Sequence, residues 1–431
     1  ILVEMLTLNF GFRYDAQFIY SSQGKLDMSL PNQWSPRIGL IFDPTQEGRS
    51  KIFGNFAIFY EGVPLQVAER ALSGEPNVNH FFEGNGSPTN ESCDPNAIAG
   101  GSGEFCYNTE KQLGNYWADP YEPGQEVWHG NGTVPVDPDL KPQSSSELMF
   151  GGEYALFDMV RLGVTYTKRW MNNIIEDMSR DEAQTYFIGN PGSGIATDFI
   201  KPVRNYDALT FYATKAFSQN WLASVSYTMS WLKGNFAGLF RPETGQLDPN
   251  INADFDLKSM LINRDGYLPG DHRHQIKAYA AYEFNIGQHM KITPGLGYTA
   301  NSGQPTNYYG AHELYGPDEI FILRRGAGER LPWFNRVDLH VGFMAKLDET
   351  YSIEITGDVF NLFNFQGTTM IDQTYTTKQV APIDGGDADD LSGLTYLDGK
   401  PFEEADKNEN FGNPTRYQAP LTVRLGVRLT F

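Results

Sequence analysis

The sequence lacks a long apolar run. It has 431 residues, of which 40% are hydrophobic. No stretch of it approaches the roughly 18 uninterrupted apolar residues that a membrane-spanning helix needs. This excludes a helical membrane protein. Strands that cross a membrane alternate apolar and polar residues and therefore look polar on average, so a transmembrane β-barrel remains open.

Positive charge is also scarce. The chain carries 33 Lys and Arg against 53 Asp and Glu, a formal net charge of -20. Because nucleic acid is recognised by a basic face, this balance argues against nucleic-acid binding. The acids crowd two stretches rich in Pro, Gly and Asn, Glu69–Asp139 and Asp384–Glu409. Such stretches predict solvated acidic loops.

Only two cysteines are present, Cys93 and Cys106, and both fall in one polar stretch. Two residues are too few for a zinc site at this spacing. A disulfide between them would close a loop of about 14 residues and stabilise the fold by roughly 3 kcal/mol. This disulfide predicts an oxidising compartment such as the periplasm or the cell surface. Ile1–Asp15 already has the pattern of a strand rather than of a signal peptide, so we expect the chain to begin inside a longer one.

What the sequence has in abundance is alternation with a period of two. In 421–431, apolar side chains occupy the odd positions, and polar residues or glycine occupy the even ones. The same pattern recurs in 6–15, 221–231, 336–347 and 351–359. The polar faces carry full charges in mid-strand, which a dry core would not tolerate. This predicts a wet interior and an apolar face turned to lipid.

The connections between strands alternate in length. Of about twelve expected strands, short turns join every other pair, at Asp43–Ser50, Phe157–Met159, Ser218–Asn220, Asn285–His289 and Asp348–Thr350. The remaining joins are long: Ser21–Gln33, Val63–Ser144, Asn173–Arg204, Asn235–Gly270, Ser302–Phe334 and Gln366–Gln418. Long and short joins alternate in a membrane barrel because one parity faces the periplasm and the other the outside. We therefore predict that 1–431 is one antiparallel transmembrane β-barrel domain, with 63–144 and the acidic 366–418 as long extracellular loops.

Several stretches resemble the TonB-dependent outer-membrane receptors, and more narrowly the Oar-like receptors. They are Leu6–Asp15 (LTLNFGFRYD), Asn32–Asp43 (NQWSPRIGLIFD), Phe53–Tyr60, Leu268–Phe284 (LPGDHRHQIKAYAAYEF), Asp358–Phe365 (DVFNLFNF) and the terminal strand. The resemblance implies a 22-stranded barrel of the Gram-negative outer membrane, closed by a plug domain. This chain would be its C-terminal half. The missing plug and the first barrel half would lie upstream, and TonB would supply energy through the plug.

The function implied by the resemblance is transport: the chain would supply the barrel wall and the loops that capture an unknown extracellular or secreted cargo. The alternative is a passive outer-membrane channel or an adhesin whose long loops bind partners. No catalytic constellation stands out, so we do not expect an enzyme. An outer-membrane hydrolase would need a Ser–His pair on its outer face, whereas the alternation turns His340 towards the lumen.

Three groups of residues are candidates for function, each with a simpler structural interpretation. The polar strand faces predict a set that lines the lumen and faces the plug, where it could contact substrate or, more simply, pack the wall against the plug through salt bridges and hydrogen bonds: Arg13, Arg161, Arg169, Arg336, Asp338, Glu354, Asp358, Arg424 and Arg428. Loop aromatics could bind cargo or simply fold the loops: Tyr116, Trp117, Tyr121, Trp128, Tyr308, Tyr309 and Tyr315. Acids of the last loop could gather a structural calcium ion or be merely solvated: Asp384, Asp387, Asp389 and Asp390. No other cofactor is expected, and the metal pair offered by His272 and His274 is weakly supported.

Overall fold

The computed structural model describes residues 5–20, 24–64, 134–183, 185–241, 243, 253–348 and 350–431, together with the backbone strands 77–80 and 126–129. Over these residues the chain is almost entirely β. No helix in the described part is long and apolar enough to cross a membrane. The helices found there are short 3-10 turns, at Gly194–Ala196, Lys258–Met260, Ala388–Gly393 and Glu404–Asp406.

Long strands alternate with short ones along the described chain. In order they are β1 (Leu6–Tyr20), β2 (Leu26–Phe42), β3 (Ser50–Tyr60), β4 (Asn77–His80), β5 (Glu126–His129), β6 (Ser144–Phe157), β7 (Val160–Asn173), β8 (Glu176–Met178), β9 (Phe187–Gly189), β10 (Arg204–Ser218), β11 (Trp221–Gly234), β12 (Gly266–Tyr267), β13 (His274–Tyr282), β14 (Phe284–Ile286), β15 (Met290–Asn301), β16 (Tyr309–His312), β17 (Gly316–Phe321), β18 (Phe334–Lys346), β19 (Ser352–Phe360), β20 (Thr368–Ile371), β21 (Pro414–Tyr417) and β22 (Thr422–Thr430).

Twelve strands make one continuous sheet. Its order is β1-β2-β3-β6-β7-β10-β11-β13-β15-β18-β19-β22, with β12 joined to β11 and β14 to β15. From β2 to β22 each strand pairs antiparallel with the next one in this order. The order follows the sequence because each strand needs only a hairpin to reach its neighbour. The expectation of about twelve antiparallel strands is confirmed.

Register separates the sheet into an apolar face and a polar face. Val225 of β11 lies opposite Ala213 of β10 and Ala278 of β13, while the next residue, Ser226, lies opposite Tyr212 and Lys277. Because side chains alternate between faces, one register fixes the faces of all neighbouring strands. The apolar and polar sets expected from the sequence therefore fall on opposite faces.

The short turns have the conformations that tight connections require. Gln219 and Asn220, between β10 and β11, both have positive φ, 52° and 65°. This is the backbone of a two-residue hairpin whose twist matches that of its strands. In the turn between β2 and β3, the Asp43 carboxylate accepts hydrogen bonds from Thr45, Gly48 and Ser50. Hydrogen bonds from the side chains of Thr45 and Ser50 hold the pKa of Asp43 well below its usual range.

One expected loop is shorter than the sequence indicated. The stretch Ser21–Gln33 was expected to be loop, but β2 begins at Leu26 and contains Pro31. Proline lacks the amide hydrogen that a strand residue donates to a neighbouring strand. On its β3 side, however, β2 pairs only from Arg37 to Phe42, so Pro31 interrupts no ladder there.

The remaining short strands build structure within the long connections. Separate two-stranded sheets join β8 to β9, β16 to β17, β20 to β21 and β4 to β5. Between the strands of the main sheet, apolar cores form inside the loops, one around Ile174, Phe199, Phe236 and Phe255. By its internal contacts the chain divides into two compact units, 1–17 with 30–62 and 137–431, and 18–29 with 63–136.

Candidate functional site: the polar sheet face and the loop core

Ion pairs bridge neighbouring strands on the polar face near β22. Asp358 of β19 stands between His340 of β18 and Arg424 of β22. Its Oδ1 lies 2.6 Å from His340 Nδ1, and its Oδ2 accepts a hydrogen bond of 3.0 Å from Arg424 Nε. Four residues further along β22, Arg428 lies 3.5 Å from Glu354. Each of these cations thus has a carboxylate on the adjacent strand.

Further candidates on the polar face also form ion pairs, some within one strand and some between two strands. Arg336 and Asp338 pair within β18 at 2.9 Å, and Arg13 and Asp15 within β1 at 2.7 Å. Arg169 Nε donates to Glu147 at 2.9 Å across β7 and β6. The nine residues predicted to face the lumen therefore lie on the polar face and are ion-paired within the wall. Arg169 and Arg424 remain 55% and 68% exposed, so pairing leaves them accessible to a further partner.

A second polar group forms around Glu153 of β6. Arg161 and Lys51 each lie 3.8 Å from its carboxylate, and Tyr212 donates a hydrogen bond of 2.7 Å to it. The Tyr212 ring crosses β7 directly over Gly163, where an added Cβ would lie 2.2 Å from the ring. Glycine at this position is what allows the tyrosine to reach Glu153.

The loops between strands hold a buried charge network that the sequence analysis missed. Arg264 Nη1 and Arg325 Nη2 bind Asp254 Oδ1 at 2.6 and 3.0 Å, and Arg241 Nε lies 3.6 Å from the same oxygen. Arg241 also pairs with Glu319. All three guanidinium groups and Asp254 are at most 1% exposed. Burial alone would raise the pKa of Asp254, but the three Arg charges lower it overall.

This network links residues from several of the long connections within the loop core. Arg264 also donates to the carbonyls of Met260 and Glu319, at 2.6 and 2.9 Å. The guanidinium groups of Arg264 and Arg325 lie 4.9 and 4.6 Å from the Phe321 ring centre. A buried ion pair of this kind costs several kcal/mol to break, because the remaining charge is left without compensation. The network therefore fixes how these connections pack. Nothing in the sequence marks these arginines as buried.

Beside the network lie two buried acids. Glu176 is 2% exposed, and its carboxylate oxygens have no hydrogen-bond partner among the residues that the structure describes. Burial raises the pKa of Glu176 well above its usual value, and burial also raises that of Asp256. Tyr315 donates a hydrogen bond of 2.9 Å to Asp256, and its hydroxyl lies 2.5 Å from that of Tyr186. Burial and neighbouring carboxylate charges raise the pKa of both acids and so favour their neutral forms, whereas the hydrogen bond from Tyr315 favours the charged form of Asp256.

The described candidate aromatics pack within the loops. Tyr309 is 1% exposed and meets Phe321 edge-on at 5.0 Å, while Tyr308 stacks on Phe411 at 5.0 Å. Together with Tyr315, these residues help to fold the loops, and a role in cargo binding stays a prediction. Tyr116, Trp117 and Tyr121 lie outside the described residues, as does the side chain of Trp128. Cys93 and Cys106 lie outside them too, so the disulfide also remains a prediction.

The acids suggested for calcium serve a local structural purpose. Asp387 caps the 3-10 helix Ala388–Gly393 by accepting a hydrogen bond from the amide of Asp389, and Asp390 accepts one from the amide of Asp387. Asp384 precedes this cap. Throughout the part of the chain that the structure describes, no group of three His, Cys, Asp or Glu residues is placed to hold a metal ion.

The suggested histidine pair does not converge on one ion either. Nδ1 of His272 lies 2.6 Å from the Ser302 carbonyl oxygen. His274 instead stacks between the rings of Tyr227 and Trp333, each 6.0 Å away, and its Nδ1 lies 2.8 Å from the Tyr227 hydroxyl. Both rings are therefore engaged in local contacts at the loop ends of the strands.

Comparison with known proteins shows which proteins the chain resembles. The chain is 47% identical, over 447 residues, to the TonB-dependent transporter Oar of Myxococcus xanthus, in a match that covers the whole chain. Along its whole length the chain is similar to part of an Oar-like TonB-dependent receptor. Such receptors are β-barrel proteins of the Gram-negative outer membrane. The chain spans 42% of the length of this curated relative. No protein-family model matches the chain.

Solved receptor and transporter structures match the chain over part of their own length. The ferric enterobactin receptor PfeA of Pseudomonas aeruginosa, in a mutant bound to enterobactin, is 14% identical with a TM-score of 0.47, and the match covers 100% of this chain and 44% of that one. The siderophore receptor PiuA of Acinetobacter baumannii is 10% identical with a TM-score of 0.44, covering 86% and 38%. The copper transporter OprC is 12% identical with a TM-score of 0.44, covering 100% and 46%.

Proposed function

We propose that this chain forms the C-terminal part of the barrel wall of a TonB-dependent outer-membrane transporter, together with loops that capture its cargo. The observation that carries the proposal is the identity of 47% to such a transporter along the entire chain. The sheet agrees with this role, since it has a polar face with paired charges and an apolar face. In the proposed barrel, the first lines the lumen and the second contacts lipid.

The apolar face has the dimensions of a membrane crossing. Trp221 and Trp231 lie on this face near the two ends of β11, with Val225 between them. At about 3.3 Å per residue they are about 33 Å apart along the strand. With a strand tilt of about 40°, this spans the apolar band of about 25 Å that aromatic girdles bound in such barrels. The short turns would then face the periplasm and the long connections, including 63–144 and 366–418, the outside.

The outermost strands of the sheet carry the next part of the proposal. Among the described residues, β1 and β22 are the two edges of the sheet. An unpaired strand edge in hydrocarbon leaves amide and carbonyl groups unsatisfied at a cost of several kcal/mol each, so a spanning sheet must close. We therefore assign the partners of both edges to a first barrel half that precedes this chain in the full-length protein. The lumen would hold a plug domain, through which TonB acts.

Within this arrangement we assign cargo capture to the loops and plug contact to the polar face. Arg424, Arg169 and the other candidates of that face keep exposed guanidinium or carboxylate edges after pairing within the wall. They could therefore bind groups on the plug without breaking their existing pairs. The aromatic stretch from Tyr116 to Trp128 is the candidate cargo surface.

Two adjacent residues of β22 provide a test. A photo-crosslinking amino acid is placed in the full-length protein, in cells, at Arg424 on the polar face or at Leu425 on the apolar face. We expect the first to crosslink to a segment of the plug and the second to lipid. Crosslinks from both positions to lipid, or from both to soluble proteins, would contradict the proposed barrel wall.

A further inference from the structure

A cluster of cations lies on the apolar side of the sheet, just beyond its upper aromatic residue. Lys233 comes two residues after Trp231 and shares its face, and it pairs in register with Tyr267. Its Nζ lies 4.6 Å from the centre of the Tyr267 ring. The guanidinium groups of Arg273 and Arg330 lie 5.1 and 5.3 Å from the same ring. Three cations thus surround one tyrosine.

These charges are only partly neutralised. Arg330 and Arg273 both pair with Asp271, whose side chain is fully buried and also accepts a hydrogen bond from the amide of Leu232. Among the described residues, Asp271 is the one carboxylate ion-paired with the cluster, and it pairs with two of the three cations, Arg273 and Arg330. Lys233 is exposed, and Arg273 and Arg330 are 23% and 31% exposed. The cluster therefore presents excess positive charge to its surroundings, in a chain whose net charge is -20.

The neighbouring cation on this face is arranged differently. Lys168 of β7 pairs in register with Asp207 of β10, which pairs in register with Trp231 of β11. Lys168 therefore lies in the same row of the sheet as Trp231. Its Nζ is 3.1 Å from the Asp207 carboxylate, which also accepts a hydrogen bond of 2.5 Å from Tyr166. Lys168 is thus neutralised by its partner, whereas Lys233, among the residues that the structure describes, contacts the ring and hydroxyl of Tyr267 and pairs with no carboxylate.

We infer that Lys233, Arg273 and Arg330 form a binding site for the phosphate group of an outer-leaflet lipid. This inference rests on the proposed function, because it requires the apolar face to contact lipid. If Trp231 marks the upper boundary of the hydrocarbon, Lys233 lies at the level of the headgroups. Phosphate oxygens there can accept hydrogen bonds from guanidinium and ammonium groups, which are strong when charge-assisted. Each basic residue near an anionic lipid surface strengthens attachment.

Native mass spectrometry of the full-length protein, with diphosphorylated or fully dephosphorylated lipid A added, tests the site. We expect Lys233→Ala to weaken binding of the diphosphorylated lipid about fivefold, the effect of one basic residue near an anionic surface. Lys233→Glu should weaken it further, and Lys233→Arg should retain it. The matched control, Lys168→Ala, should leave it unchanged, and inorganic phosphate at millimolar concentration should not displace the lipid. Displacement by phosphate alone would overturn the assignment to a lipid.

Equal effects of Lys233→Ala and Lys168→Ala, or equal binding of the two lipids, would also overturn the inference. Quenching of tryptophan fluorescence by brominated lipids separates this failure from failure of the proposed barrel. If the native protein in vesicles shows quenching but the lysine variants behave alike, the phosphate site alone is wrong. If it shows no quenching, the apolar face does not contact lipid, and the proposed function fails as well.

Discussion

Replacing Val225 by Arg should severely impair folding into a bilayer, whereas the same change at the adjacent Ser226 should be mild. Val225 lies on the apolar face, is 46% exposed and has small apolar neighbours, Ala213 and Ala278. No counter-charge is within its row of the sheet. Ser226 lies on the polar face between Tyr212 and Lys277, where water would solvate an added guanidinium.

The expected loss of stability follows from the depth of Val225 in the membrane. Val225 lies near the middle of the stretch between Trp221 and Trp231, far from either girdle. A lipid-facing Arg at the midplane of such barrels costs about 2–4 kcal/mol. This corresponds to a loss of roughly thirtyfold to several hundredfold in the folding equilibrium. Ser226→Arg should cost under about 1 kcal/mol, as surface changes that bury no charge usually do.

Urea unfolding of the full-length protein in lipid vesicles, followed by tryptophan fluorescence, measures both variants. The decisive quantity is the difference between them, since each variant adds the same side chain to the same strand. Equal destabilisation, or greater damage from Ser226→Arg, would refute the assignment of the two faces to lipid and lumen.

Three further outcomes follow. Gly163→Ala should lower the free energy of unfolding by about 1–3 kcal/mol, because its Cβ would overlap the Tyr212 ring; Gly54→Ala, with open space at that site, should be milder in the same assay, and equal effects would contradict the packing. Burial raises the pKa of Glu176, so the folded loop holds a proton that the unfolded chain releases, and its stability should fall as pH rises above the usual value of about 4.3. Glu176→Gln should therefore slow amide exchange of β8 at pH 7 and leave it unchanged at pH 4; the same effect at both values would exclude a titration of Glu176. Intact mass under non-reducing conditions should show the predicted disulfide as the loss of two hydrogens, and two alkylatable thiols would disprove it.

The strands of the main sheet could be predicted because their cause is local. In β22 the alternation of apolar residues such as Leu425 with polar residues such as Arg424 predicts both the strand and its two faces. The partner strands have the same pattern. The residues of the polar face could be predicted for the same reason, since parity assigns each of them to a face. In the structure they form ion pairs within the wall, and their contact with a plug stays a prediction.

The loop core could not be predicted because its cause is distant in the sequence. Arg241, Arg264 and Arg325 meet Asp254 only after several connections have folded together. Charged residues in loops normally remain solvated, so composition favoured the wrong environment for them. The cation cluster at Lys233 had a readable signal, a positive charge that follows Trp231 on the apolar face. Its contacts with Arg273 and Arg330 required the fold.

One exception to the strand pattern, Lys215, has a physical explanation. Lys215 falls on the apolar face of β10, but it lies at the short-turn end, where the register shifts before Ser218. Its Nζ lies 4.1 Å from the Trp221 ring centre and donates to the Ser218 carbonyl at 2.8 Å. Long basic side chains at a boundary bury their stems and direct their charge to water. The lysine is thus an interfacial residue.

Disulfide trapping between the outermost strands of the sheet tests the proposed barrel half most directly. In the full-length protein, Val427→Cys in β22 is combined in turn with cysteine at Leu8, Phe10 or Phe12 of β1, and the linked peptides are identified by mass spectrometry. We predict no disulfide between these strands, and photo-crosslinks from position 427 to a segment that precedes this chain. An efficient disulfide between β22 and β1 would mean that twelve strands close on themselves. That result would contradict the plug-containing transporter and favour a passive channel or adhesin.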